Sequence, residues 1–148
     1  MTSHGKNWLV AAAVMSLIAS LLHVASIFGG GDWYRFFGAG EQMARLDEAG
    51  SWKPAIITAV IAIILAGWAL FALSGAGIVR RVPLLRTGLV AIAAVLLART
   101  ALLAFPATWG PDASFAFMAV TSAITGIMGL VFAVGIAKSW RYMRRSSV

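Results

Sequence analysis

His23 and Arg99 are the two side chains in this sequence best equipped for chemistry, and each sits inside a long apolar run. An imidazole can hold or pass a proton near neutral pH. A guanidinium can grip a carboxylate or phosphoryl group through paired N–H bonds. Ionisable groups inside apolar spans are costly, and they usually face a bundle interior or a watery cavity. Hydroxyls gather at the same level. Ser20 and Ser26 flank His23 at three-residue spacing, Thr58 starts the second run, Thr100 adjoins Arg99, and Thr121, Ser122 and Thr125 lie in the last run.

Each of these residues has a plainer role open to it. Arg99 can snorkel along its stem to the headgroups, His23 can bond a helix carbonyl, and the hydroxyls can bond their own helices. The chemical alternative is one polar site in which Arg99 and His23, with Thr121 and Ser122 beside them, meet a carboxylate from a loop. Glu41 is the first choice for that carboxylate and Asp112 the second. Such a site suits an amphipathic or anionic small molecule with a lipid-like or quinone-like head. No cofactor or metal is expected. The chain has no cysteine, and His-Glu-x-x-His, nucleophile-elbow and P-loop patterns are missing.

The elements that must carry these residues follow from composition. Hydrophobic residues make up 61% of the 148 and charged residues 11%, against roughly a quarter charged in a soluble domain. A span needs about 20 apolar residues. Four runs qualify, at about 8–28, 54–73, 87–105 and 114–137, with Pro54 in a first helical turn and Pro106 after the third run. The expected fold is all-α: a single integral membrane domain, a four-helix bundle, over the whole chain. By helix rise His23 lies roughly 8 Å and Arg99 about 9 Å from the same end of their spans.

The net charge of +7 is read as orientation, not as nucleic-acid binding, because no basic stripe with stacking aromatics is present. Lys6, the Arg80-Arg81-Arg86 loop and the tail with Lys138, Arg141, Arg144 and Arg145 carry no acids. The positive-inside rule then puts both termini and the second loop in the cytoplasm. The expected location is a bacterial inner membrane.

Residues 29–53 form the long outer loop, with Glu41 and Arg45 at favourable i,i+4 spacing. Trp33, Phe36, Phe37, Met43 and Ala44 fall near one helical face. A short amphipathic helix is expected there, or two broken at Gly38 or Gly40. Trp33, Tyr34, Phe36 and Phe37 would serve as an interfacial anchor or as a lid. In the fourth run Ala119, Ser122, Gly126, Gly129 and Ala133 form a small-residue face for intrachain packing or a homodimer, and Ala91, Ala94 and Ala98 repeat the idea in the third.

The stretch from Trp33 to Ala44 and the stretch from Ser74 to Arg86 (Ser-Gly-Ala-Gly-Ile-Val-Arg-Arg-Val-Pro-Leu-Leu-Arg) resemble a group of short, four-span bacterial membrane proteins of unassigned function. The resemblance implies a four-helix bundle in a bacterial inner membrane and no particular activity. Size, span count and outer-loop placement are also similar to DoxX-like proteins. The leading functional expectation is a non-enzymatic binder of a lipid or quinone-like molecule. The alternatives are an accessory subunit or homo-oligomer, and an enzyme using His23 as base and Glu41 as acid.

Overall fold

A computed structural model describes residues 3–105, 107 and 115–145, with the side chains of 3, 4, 144 and 145 left aside. Pro106 and Asp112, named above, and the first residue of the run 114–137 lie outside the described residues. The chain is all-α, with helices α1 (Ser3–Phe36), α2 (Glu41–Glu48), α3 (Lys53–Gly75), α4 (Leu85–Ala101, extended by a 3-10 turn, Leu102–Ala104) and α5 (Phe115–Arg145). All but α2 are long and apolar enough to cross a membrane. Their outward faces carry Ile18, Leu21, Ile63, Val120 and Leu130, all exposed. Apolar surface on that scale marks contact with lipid, so the chain is a multi-pass membrane protein.

Three of the helix ends use one device. At Gly38, Gly50 and Gly77 the backbone turns to positive φ. At each, the glycine amide and the amide after it reach back to carbonyls of the last helical turn, as in Ile78 N to Leu73 O and Gly77 N to Ser74 O. The first helix runs past the expected end at residue 28. Gly30 breaks it with φ 67 and ψ −156, yet helix resumes on the far side and carries Trp33 to Phe36. A left-handed glycine redirects a chain without ending it when the following residues are good helix formers. The break expected at Gly38 or Gly40 is where α1 ends and α2 begins.

The four long helices form a ring. α1 packs on α3 and α5, α4 packs on α5, and α3 touches α4 more thinly, so α1 and α4 occupy opposite corners. The apolar core fills only one half of this ring. Leu9, Ala12 and Ala13 from α1 meet Ala69 and Ala72 from α3. Leu85, Leu89 and Ile92 from α4 and Phe132 and Ile136 from α5 complete it. These are the beginnings of α1 and α4 and the ends of α3 and α5, so this is the half nearest the termini. The α3–α4 approach belongs to it as well: Phe71 packs over Gly88, and Leu89 over Gly75. The opposite half is closed at its end by α2.

Small residues in α5 do intrachain work. Gly126 faces Thr100, Gly129 faces Leu96 and Leu97, and Gly135 faces Leu9. That face is covered by α4 and α1. In α4 the expectation of intrachain packing needs correcting: Ala91, Ala94 and Ala98 are exposed, and α4 buries Leu85, Leu89, Ile92, Ala93 and Leu96 instead. The larger side chains supply more contact with α5, and the alanines are left on the outer face.

Candidate functional site

The half of the bundle under α2 is built from polar side chains where the other half has leucines. α1 turns Ser16, Ser20 and Ser26 inward, α3 turns Thr58 inward, and α5 turns Ser122 inward, all buried. Most are satisfied. Ser20 donates to the Ala62 carbonyl across the α1–α3 seam at 2.8 Å, and Ser26 donates back to Leu22. Thr100 bridges α4 to α5: it donates to the Leu96 and Ser122 carbonyls and shares a 3.1 Å bond with the Thr125 hydroxyl. Thr121 bonds the carbonyls of Phe117 and Met118 in its own helix. Ser16 and Ser122 differ from these: each side chain is fully buried and each hydroxyl has no hydrogen-bond partner, as is also true of Ser139 in the other half. A buried hydroxyl left in that state costs about 1–3 kcal/mol.

His23 is half-buried, with Nδ1 2.8 Å from the Ala19 carbonyl. A carbonyl only accepts, so Nδ1 carries the proton in this contact, and Nε2 of the neutral ring is the acceptor. Arg99 is half-buried near the end of α4. It lies in the same polar half as His23, on the helix at the opposite corner of the ring. Glu41 joins neither. Its carboxylate is taken by Arg35 (Nε to Oε2, 2.8 Å) and Arg45 (Nε to Oε1, 3.0 Å). The sequence favours Glu41 as the partner of Arg99 because its loop follows the span that carries His23. The Gly30 break brings Arg35 back over α2, where it reaches Glu41 first.

Arg35 is the hub of the cap. Besides Glu41 it bonds Glu48 at 2.6 Å and Asp32 at 3.3 Å. One guanidinium thus ties the segment beyond Gly30 to both ends of α2. No motif singled out Arg35. The usable signal was its surroundings, an arginine amid Asp32, Glu41, Asp47 and Glu48. Hydrogen bonds from Arg35 and Arg45 hold the Glu41 carboxyl down at about 2, and Arg35 likewise holds Glu48 below the ordinary value. An acid so tightly held as the anion is a poor proton donor near neutral pH.

The sign of the pH dependence follows. Both carboxyls are depressed in the folded cap, so their contribution is complete above the ordinary value of 4.5 and is lost as pH falls towards about 2. Spin labels at Gln42 and Ile56 should report one narrow distance above that window and a broadening one within it. Arg35→Gln should show the broad distribution at neutral pH. A distance unchanged down to the bottom of the window would contradict this role for the cluster.

The aromatic residues of the cap divide. Trp33, Phe36 and Phe37 are exposed and contact one another, which suits an interfacial anchor. Tyr34 turns the other way, is 1% exposed, and its phenol oxygen has no partner. Ala44 also faces inward and is fully buried, so it does not share the face of Trp33. Phe117 of α5 lies against Gly38, which fastens the cap to the bundle. Among the described residues no group of three or more His, Cys, Asp or Glu could hold a metal ion.

No family model matches the chain, and no curated protein or solved structure matches it.

Proposed function

We propose that this chain is a non-enzymatic membrane protein that binds an amphipathic or anionic small molecule, lipid or quinone-like, in the polar half beneath the cap. The observation that carries the reading is the fully buried Ser122 hydroxyl with no partner, set in a half-bundle that lacks the leucine core of the other half. A ligand oxygen would satisfy that hydroxyl and offset its desolvation. Arg99 would attract a negative or polar head, and His23 Nε2 and Thr121 would orient it.

The distribution of Lys and Arg supports termini in the cytoplasm and a cap on the outer face. The resemblance to short four-span bacterial proteins supports a bacterial inner membrane. An enzyme using Glu41 as its acid is disfavoured, because that carboxylate is held ionised by two arginines.

Titration of the detergent-purified protein with a short-chain ubiquinone and with an anionic lysophospholipid tests the proposal. One of them should bind saturably. Ser122→Ala should weaken it by roughly 2- to 12-fold, the worth of a neutral hydrogen bond, and Arg99→Gln by at least about tenfold. Ser122→Ala should not lower the thermal midpoint of the empty protein, since it removes an unpaired hydroxyl. Binding that is absent, or indifferent to both substitutions, would sink the proposal.

A further inference from the structure

At the opposite end of the bundle, the loop between α3 and α4 and the last turn of α5 enclose an open cleft of about 580 Å³, lined by Arg81, Pro83, Leu84, Arg86, Thr87 and Met143. We infer that this cleft is a second binding site, for the phosphate headgroup of an anionic phospholipid. The inference is independent of the ligand assigned to the polar half.

Both arginines are held in place from behind. Arg81 donates through Nη2 to the Met143 carbonyl, and Arg86 through Nη2 to the Trp140 carbonyl at 2.6 Å. The Arg86 guanidinium also stacks 4.3 Å over the Trp140 ring. Each guanidinium has five N–H donors. One is spent on α5 in each case, and Arg86 Nε is buried with no partner. The loop that presents them is fixed too: buried Ser74 donates to the Arg80 carbonyl and accepts from the Val82 amide. The side chains are therefore pre-positioned and retain donors, which is how phosphoryl groups are recognised.

Three further features suit a phospholipid: two draw its phosphate, and one suits its acyl chain. The α4 amides of Leu85, Arg86 and Thr87 open the helix with no side-chain cap, and the first intrahelical bond is Gly88 N to Leu84 O. Such amides add to the attraction for a phosphate. Leu84 is held in the left-handed region (φ 54) and is 79% exposed, so an apolar side chain stands at the lip of a basic cleft, as an acyl chain beneath a headgroup requires. None of the acidic residues Asp32, Glu41, Asp47 and Glu48 lies at this end, whereas Arg80, Lys138 and Arg141 do.

The test is native mass spectrometry of the full chain released from vesicles of phosphatidylcholine containing a minority of phosphatidylglycerol. Wild type should retain phosphatidylglycerol in preference to phosphatidylcholine. Arg86→Gln should reduce that preference by about tenfold, the loss of one charge-assisted bond, while Lys138→Gln, an equal charge change outside the cleft, should leave it within about twofold. Arg86 also braces α5, so Thr87→Asp supplies a second variant. An acid at the third helical position favours the helix itself, yet it would repel a phosphate, and retention should fall without loss of thermal stability. Equal losses in Arg86→Gln and Lys138→Gln would overturn the inference in favour of a diffuse basic surface. Full retention in Thr87→Asp would overturn it as well. Displacement of the lipid by inorganic phosphate would overturn the lipid assignment and leave a free-anion site.

Discussion

Gly38→Ala is expected to unseat the cap. Gly38 sits at φ 73, and a methyl group there would lie within the ring of Phe117. The left-handed conformation costs a residue with a Cβ about 1–2 kcal/mol, and overpacking adds about 1–3 kcal/mol. Phe117 can relieve the collision only by leaving Gly38, which removes the contact between cap and α5. The thermal midpoint should fall, and chymotrypsin should gain access to Phe36 and Phe37. Gly40→Ala isolates the backbone part of the effect. That position has φ 96 but nothing within 4 Å of a Cβ, so Gly40→Ala should cost clearly less than Gly38→Ala. Equal losses would mean that the Phe117 contact contributes nothing.

Phe132→Ala should be the most damaging truncation in the apolar half. Phe132 is fully buried in the cluster with Leu9, Leu89 and Ile136. In a soluble core this change costs about 3–5 kcal/mol. Here the figure should be lower, about 2–3 kcal/mol, because lipid tails are as apolar as the bundle interior and chiefly the lost packing counts. Unfolding of detergent-solubilised protein by added sodium dodecyl sulfate would measure it. Ligand binding in the polar half should survive at temperatures where Phe132→Ala remains folded. The two halves would then be separable: one maintains the fold, and the other holds the molecule.

How much of this was legible beforehand depended on range. Long apolar runs announce spans by themselves, and Gly38, Gly50 and Gly77 mark helix ends because the left-handed turn is a local property. The concentration of hydroxyls in one half could also be counted along the sequence once the direction of each helix was known. Partner choice could not be read in that way. The loop with Glu41 follows the span that carries His23, but Arg35 is brought to Glu41 by the break at Gly30, and three consecutive glycines do not say which will bend. Ala91, Ala94 and Ala98 have the spacing of a packing face, yet leucines on the other side of α4 won the contact with α5. Helix rise puts His23 and Arg99 at a similar distance from the same end of their spans. That they stand at opposite corners follows from the ring order of the helices, which depends on contacts between residues far apart in sequence. The unpartnered hydroxyl of Ser122 belongs to the same class, since only the assembled neighbours show that it is unsatisfied.

The division of the bundle into a packed half and a binding half is tested most directly by photolabelling. A quinone or lysophospholipid carrying a diazirine would be crosslinked to the protein in membranes, and the labelled residues mapped by peptide mass spectrometry. The account predicts saturable labelling concentrated on Ser16, Ser20, His23 and Ser26 of α1, Leu96, Arg99 and Thr100 of α4 and Met118, Thr121, Ser122 and Thr125 of α5, competed away by unlabelled ligand and reduced in Ser122→Ala. Labelling spread evenly over the lipid-facing residues Ile18, Ile63, Val120 and Leu130, with no competition, would contradict it.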